Sequence, residues 1–91
     1  MRLQYDPRAL ADLREIHEFI ARDDATAAGR VIARIRHSIE RLSVLPFSGR
    51  PGVKDTRLLV VPNLPYIVVH RVCDSFVEIL AVFHTARERR E

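Results

Sequence analysis

Residues 64–87, LPYIVVHRVCDSFVEILAVFHTAR, decide the fold of this chain. They contain two runs rich in β-branched and aromatic residues, Tyr66 to Cys73 and Phe76 to Phe83, and such runs are typical of strands. Asp74-Ser75 separates them, and both residue types favour turns. The stretch therefore predicts a two-stranded hairpin. A hairpin this apolar is unstable alone in water, so other parts of the chain must cover it.

The turn fixes how the two strands pair. With a two-residue loop, Arg71 faces Glu78 as a cross-strand ion pair, and Pro65 faces His84. The nearest strand position on the same face as His84 is then 67. Arg71 lies six residues further along the hairpin, roughly 20 Å away, so it cannot hold the same phosphate as His84.

Upstream of the hairpin the sequence predicts one strand, two helices and a further strand. Arg2 to Tyr5 is short and extended. Asp6 and Asp24 are suited to cap two helices, each of which carries apolar residues at helical spacing. Leu45-Pro46 closes the second helix, and Thr56 to Val61 is the next strand. The order β-α-α-β-β-β predicts an α+β domain, in which a helical hairpin packs on a sheet made of the N-terminal strand and a three-stranded antiparallel meander.

Length and composition indicate a single domain spanning residues 1–91. The chain is 47% hydrophobic and 30% charged, which is ordinary for a folded protein. Its net charge of +3 is a weak argument for binding nucleic acid. No apolar run approaches the ~20 residues that cross a bilayer, and the N-terminus lacks the apolar core of a signal peptide. These features predict a cytoplasmic protein without a membrane partner.

Three segments, in this order after the helical hairpin, carry a family resemblance. They are LSVLPFSGRPG (42–52), TRLLVVPNLPYIVVHRV (56–72) and VEILAVFHTARE (77–88). Together they resemble toxins of the RelE/ParE superfamily from bacterial toxin–antitoxin operons. The resemblance implies a toxin that arrests growth or stabilises a plasmid and that a cognate antitoxin neutralises by wrapping its helices and sheet. It also implies one of two activities, ribosome-dependent mRNA cleavage (RelE-type) or an action on DNA gyrase (ParE-type).

RNA cleavage without a metal requires a base, an acid for the leaving oxygen and an arginine on the phosphate. The candidates are Arg50, Lys54, Arg57, Arg71, His84 and Arg87. RelE-type interferases resemble this sequence but usually carry an arginine at the position of Ile67. Isoleucine cannot bind a phosphate, and the basic or tyrosine residue that often follows the last strand is replaced by Thr85. Both departures favour the ParE-like branch.

Other charged residues have two interpretations each. In the first interpretation, the loop at residues 46–52 meets the end of the sheet and a target-binding surface forms, with the members Arg50, Lys54, Arg57, His84 and Arg87. In the second interpretation, these residues are scattered solvated charges. On the second helix a basic stripe is either a solvated face or a contact for an acidic antitoxin segment, and it consists of Arg30, Arg34, His37 and Arg41. The sequence shows no cofactor motif. The one conceivable metal set, His70, Cys73 and His84, fails because residues 70 and 73 point to opposite faces of a strand.

Three hypotheses follow. The first is a ParE-like toxin that binds and inhibits a target such as DNA gyrase without breaking a bond, and that forms a hetero-oligomer with its antitoxin. The second is a metal-independent mRNA interferase that uses His84 with Lys54, Arg57 and Arg87 on ribosome-bound mRNA. The third is a folded but catalytically inert family member.

Overall fold

The computed structural model describes residues 1–86. The elements in chain order are β1 (Arg2–Tyr5), α1 (Pro7–Ala21), α2 (Ala25–Glu40), a 3₁₀ turn (Arg41–Ser43), β2 (Arg50–Pro51), β3 (Thr56–Val60), β4 (Tyr66–Val72) and β5 (Phe76–His84). The predicted α+β class, with a strand and two helices before the main strands, is confirmed. Within this part of the chain, neither helix combines the length and apolar character needed to span a membrane.

The sheet has five strands in the order β1-β5-β4-β3-β2. Strands β3, β4 and β5 form the predicted antiparallel meander. Two features depart from that simple plan. Strand β1 pairs with β5 in parallel, from Arg2–Phe76 to Tyr5–Ile79, and the two-residue β2 extends the other edge beside β3. The sheet is therefore mixed, because the first and last strands of the chain meet at one edge.

Both helices begin as their sequences predict. The Asp6 carboxylate accepts a hydrogen bond from the N–H of Arg8 (2.8 Å), and that of Asp24 accepts one from Ala27 (3.0 Å). Each bond satisfies an N–H that has no partner within the helix. At the other end, α2 stops at Glu40, earlier than predicted, because the chain tightens into the 3₁₀ turn.

One apolar core lies between the two helices and a single face of the sheet. Its buried members are Ala9, Leu13, Ile35, Ile39, Leu42, Val61, Tyr66, Val68, Val77, Ile79 and Val82. Burial of a Val, Leu or Ile side chain stabilises the fold by about 1.5–3 kcal/mol. The helices thus provide the cover that the apolar hairpin requires.

A β-bulge corrects the predicted pairing of the hairpin. The predicted register holds as far as the pair His70–Ile79, but the next pair is Val69–Ala81. Leu80 is therefore an extra residue on β5, and an extra residue of this kind bends and twists its strand. Every pair beyond it is shifted by one position.

The bulge changes the residue that pairs with His84, but the pairs between the bulge and the hairpin turn keep the predicted register. Arg71 faces Glu78, and their side chains form the predicted ion pair with an N–O distance of 3.4 Å. His84 faces Tyr66, so the predicted pair with Pro65 was wrong. The sequence gives no local sign of this shift, because Leu80 is as apolar as the residues around it.

Candidate functional site

His84 ends β5 and is exposed. Its ring lies edge-on against the ring of Tyr66, with 5.5 Å between centroids and an interplanar angle of 83°. Its Nδ1 accepts a hydrogen bond from the N–H of Ala86 (3.0 Å). In the neutral ring the proton is therefore on Nε2, which leaves a single nitrogen for contacts with a ligand.

Ile67 does not lie on the same face as His84. Neighbouring residues of a strand point to opposite faces, so Tyr66 shares the face of His84 and Ile67 points away from it. Ile67 is 1% exposed and pairs with Phe83. The predicted proximity of residue 67 to His84 was wrong because of the bulge. The residue that takes its place beside the imidazole is an aromatic ring and carries no positive charge.

A groove runs between α1 and the last part of β5, and we call it the α1–β5 groove. Its volume is about 460 Å³. Its lining residues are Asp12, Glu15, Ile16, Glu18, Phe19, Arg22, Tyr66, Val82, Phe83, His84 and Ala86. Phe19 is 66% exposed, which is unusual for a large aromatic side chain. The groove is therefore lined by both apolar and charged residues.

One polar contact joins the two sides of the α1–β5 groove. The Asp12 carboxylate accepts a hydrogen bond from the backbone N–H of Val82 at 2.9 Å. The Asp12 side chain is only 17% exposed, and Arg8 lies 3.7 Å from it. This groove was not predicted from the sequence. The available signal was Phe19, an aromatic residue outside the apolar stripe of its helix.

Arg57 lies at the opposite end of the sheet, where its guanidinium holds a loop. It donates to the carbonyl of Gly49 at 3.0 Å and to that of Ser48 at 3.5 Å. It also lies over the ring of Phe47, 5.9 Å from the centroid. These two hydrogen bonds engage two of the five N–H donors of Arg57 with its own chain.

His70 faces Arg57 across β3 and β4 and secures the same loop. It is 0% exposed, and its Nε2 lies 3.3 Å from the Ser48 carbonyl. Its Nδ1 is buried without a hydrogen-bond partner among the described residues. Burial lowers the pKa of His70, the bond to Ser48 opposes that shift, and the charge of Arg57 adds to it. From the sequence, His70 was considered only as a metal ligand, and this structural role was not predicted.

The predicted target-binding residues fall at two ends of the sheet. Arg50 and Lys54 are exposed near Arg57, in β2 and in the turn before β3. Arg57 pairs with His70 and His84 pairs with Tyr66, so the two ends lie four positions apart along β4, roughly 13 Å. Arg87 lies outside the described residues.

The basic stripe of α2 lies on its exposed side. Its members Arg30, Arg34, His37 and Arg41 are all exposed. Arg34 also donates from Nη2 to the Pro62 carbonyl at 3.2 Å, which ties α2 to the turn after β3. In residues 1–86, no three His, Cys, Asp or Glu side chains are grouped so that they could hold a metal ion.

Known proteins resemble the chain over most of its length. The model of the family described as ParE toxin of type II toxin-antitoxin system, parDE, matches residues 3–89. The protein Y4kP of Sinorhizobium fredii is 44% identical over 88 residues, covering 96% of this chain and 91% of Y4kP. Toxin RelE2 of Caulobacter vibrioides is 37% identical over 81 residues, covering 88% of this chain and 90% of RelE2.

A solved structure shares the fold. A chain of the chromosomal ParDE toxin–antitoxin system from P. aeruginosa superposes with a TM-score of 0.83 at 24% identity, covering 92% of this chain and 95% of that one. The family match spans nearly all of the sequence, and the relatives are similar in length. The chain therefore belongs to the ParE toxin family of type II toxin–antitoxin systems.

Proposed function

We propose that this toxin acts in the cytoplasm by binding and inhibiting a protein target such as DNA gyrase, without breaking a bond, and that a cognate antitoxin neutralises it. The observation that carries the proposal is the surroundings of His84. An RNA-cleaving site needs a cation on the phosphate beside its acid or base. Here the facing residue is Tyr66, and residue 67 is a buried isoleucine.

The contacts of Arg57 and its distance from His84 support the same proposal. Arg57 directs its guanidinium to loop carbonyls, and roughly 13 Å separates it from His84 along β4. To share one phosphate with His84, Arg57 would have to release these carbonyls and extend along β4. Protein binding makes no such demand, because an interface of standard size has room for charges at both ends of the sheet.

The antitoxin partner is supported by two observations. The similar ParDE structure comes from a toxin–antitoxin system. The α1–β5 groove exposes Phe19, and α1 also exposes Leu10; exposed apolar groups of this kind can mark contact surfaces. On α2 we propose that Arg30, Arg34 and Arg41 attract acidic antitoxin residues, which gives a hetero-oligomeric complex.

For the target we propose a surface centred on Arg50 and Lys54, with Arg57, His84 and Arg87 as further members. Arg50 and Lys54 are exposed, and both follow the loop that Arg57 secures. Rim charges of this type chiefly change association rates and their salt dependence. Replacing Lys54 with Glu should therefore weaken inhibition about tenfold or less, and more at low salt than at high salt. The matched control is Arg14→Glu, an exposed charge on α1.

The alternative is an mRNA interferase, which the name of the relative Toxin RelE2 favours. In that case His84 would act through Nε2, since Nδ1 accepts the N–H of Ala86. The cations would be Lys54, Arg57 and Arg87. An inert family member would show neither activity.

The experiment is a supercoiling assay with purified toxin and gyrase on relaxed plasmid. We expect inhibition that rises with toxin concentration and disappears when antitoxin is added. The Lys54→Glu variant should need more toxin for the same effect, and Arg14→Glu should match the wild type. Full supercoiling at a large excess of folded toxin would reject gyrase as the target.

A further inference from the structure

The hairpin that joins β2 to β3 has a strained turn at its tip. The N–H and the hydroxyl of Thr56 both donate to the carbonyl of Val53, at 3.0 and 2.6 Å, and close the turn. The two central residues, Lys54 and Asp55, have φ values of +50° and +67°. Positive φ at both central positions is the geometry of a type I′ turn, which favours Gly and Asn because most other side chains meet steric resistance there. Strain of this kind is concentrated at functional sites, so this tip is a candidate for one.

Exposed apolar side chains are concentrated in the segment that leads to this turn. Val53 is 77% exposed, and Phe47 is 65% exposed. Val44 and Leu45 are also more than half exposed. Four of the eight large apolar side chains that are exposed in residues 1–86 therefore fall between positions 44 and 53. Apolar groups left in water add little to folding, and a concentration of them marks a contact surface.

A cleft of about 480 Å³ lies between the loop before β2 and the hairpin, and we call it the β2–β3 cleft. Phe47 on the loop and Thr56 on the hairpin both line it. Its charged lining residues are Asp55, Arg57 and Arg71. The Arg57 guanidinium lies 5.9 Å from the centroid of the Phe47 ring, so a cation borders the aromatic surface. The cleft thus combines apolar surface with an excess of positive charge.

The net positive charge of the protein is concentrated in the same part of the chain. Residues 41–73 contain five basic residues and one acidic residue, Asp55, whereas the rest of the chain contains ten basic and eleven acidic residues. The net charge of +3 therefore arises from this segment. Arg50, Lys54 and Arg57 carry three of the five basic charges in β2, the turn and β3. Such a surface attracts an acidic partner and repels a basic one.

This surface fits a protein better than a nucleic acid. Nucleic-acid binding uses basic side chains on phosphates and aromatic rings on unstacked bases. Val44, Leu45 and Val53 serve neither purpose, because they are aliphatic and uncharged. Protein interfaces, in contrast, combine apolar and aromatic anchors at the centre with charged residues at the rim.

We propose that the toxin holds its protein target through the β2–β3 turn, with Phe47 and Val53 inserted into an apolar recess of the target and acidic target residues placed around Lys54 and Arg57. This inference rests on the proposed inhibition of a protein target. It assigns the apolar anchors of that contact and the chemistry of the target segment that receives them. Rim charges chiefly speed association and buried anchors slow dissociation, so the two groups of residues are distinguishable.

The first test compares serine variants in the gyrase supercoiling assay. We expect Val53→Ser to need at least about fivefold more toxin, and Phe47→Ser at least about tenfold more, because each variant loses an apolar side chain that the complex buries. The matched control is Val60→Ser, the same change at an exposed position near the other end of β3, which should equal the wild type.

The outcomes separate the site from the function. Val53→Ser and Phe47→Ser variants that are folded by circular dichroism and as potent as the wild type would overturn the proposed anchors. A loss of the same size in Val60→Ser would overturn them too, since it would trace the effect to stability. Wild-type toxin that leaves gyrase uninhibited would instead reject the proposed function, and this inference with it.

Asp55 provides a test of the charge of the partner. Asp55→Asn removes the acidic residue of the turn and introduces a residue type that tolerates positive φ. We expect this variant to inhibit at about two- to fivefold lower concentration, because the surface then attracts acidic groups more strongly. Unchanged or weaker inhibition by Asp55→Asn would contradict an acidic partner.

Lys54 is the only lysine of the chain, so its acetylation reports directly on the turn. The acetylation rate of Lys54, followed by mass spectrometry, should fall at least about fivefold when purified gyrase is added, because the interface excludes water and reagent. Neither a DNA duplex alone nor a higher toxin concentration should slow it. Protection by DNA would assign the surface to nucleic acid, and protection by toxin alone would assign it to a second copy of the chain. Either result would overturn the proposal.

Discussion

Asp12 provides a sharp test of how α1 is fixed to the sheet. Its carboxylate accepts the N–H of Val82 at 2.9 Å, two residues beyond the bulged Leu80, where no strand supplies an acceptor within residues 1–86. Hydrogen bonds to charged groups contribute about 1.5–3 kcal/mol, and a buried N–H left without a partner costs about 1–3 kcal/mol. We therefore expect Asp12→Ala to lower the free energy of unfolding by about 2–3 kcal/mol.

Two controls separate this bond from charge alone. Asp12→Asn keeps a side-chain oxygen as acceptor and should cost about 1 kcal/mol. Arg8→Ala removes only the exposed i,i+4 ion pair with Asp12 and should cost about 0.5 kcal/mol or less. Urea denaturation followed by circular dichroism measures all three. For a domain of this size, Asp12→Ala should also lower Tm by about 8–24 °C. A loss below 0.5 kcal/mol for Asp12→Ala would refute the assigned role of the contact.

Two further predictions concern the loop before β3. Gly49 has a φ of +92°, and an added Cβ would lie 2.3 Å from the Leu58 carbonyl oxygen, so Gly49→Ala should destabilise the fold by at least about 2 kcal/mol in urea denaturation. The control is Gly29→Ala, at an exposed position of α2 with open space around it, which should stabilise the fold by about 0.5–1 kcal/mol. Destabilisation by both substitutions, or by neither, would contradict this explanation. Because burial lowers the pKa of His70, the unfolded state binds more protons, so stability is greatest above about pH 6.5 and falls as the pH drops through the folded pKa. Thermal melts between pH 7.5 and 5 should show Tm falling with pH in the wild type, and falling less in His70→Gln. An identical fall of Tm in both proteins would exclude His70 as the cause.

The local parts of the fold could be predicted because their causes are local. Asp6 and Asp24 cap helices through bonds to residues two or three positions ahead. The turn at Asp74-Ser75 fixes the first pairs of the hairpin, and Arg71 indeed faces Glu78. Capping and tight turns depend on few neighbouring residues, so the sequence carries their signals.

The bulge and the sheet edge could not be predicted because they depend on contacts between distant residues. Leu80 differs little from its neighbours in sequence, and the Val82 N–H beyond it is satisfied by Asp12, which is 70 residues away in the chain. The parallel pairing of β1 with β5 likewise joins the two ends of the chain.

The candidate site was predicted only in part. The sequence indicated that residue 67 offers no cation, and the structure adds that it is buried and faces away from His84. Arg57 was one candidate for a target-binding surface, and the structure adds that its guanidinium contacts the Ser48 and Gly49 carbonyls. A loop that curls back to meet a strand leaves no periodic signal, and neither does a groove formed by α1 and β5.

The most direct test of inhibition without cleavage is to map the 5′ ends of ribosome-bound mRNA after incubation with purified toxin. We expect intact mRNA at toxin concentrations that stop gyrase, because the residue that pairs with His84 on β4 is Tyr66, which carries no positive charge. Cuts in phase with codons that disappear in His84→Ala would contradict it.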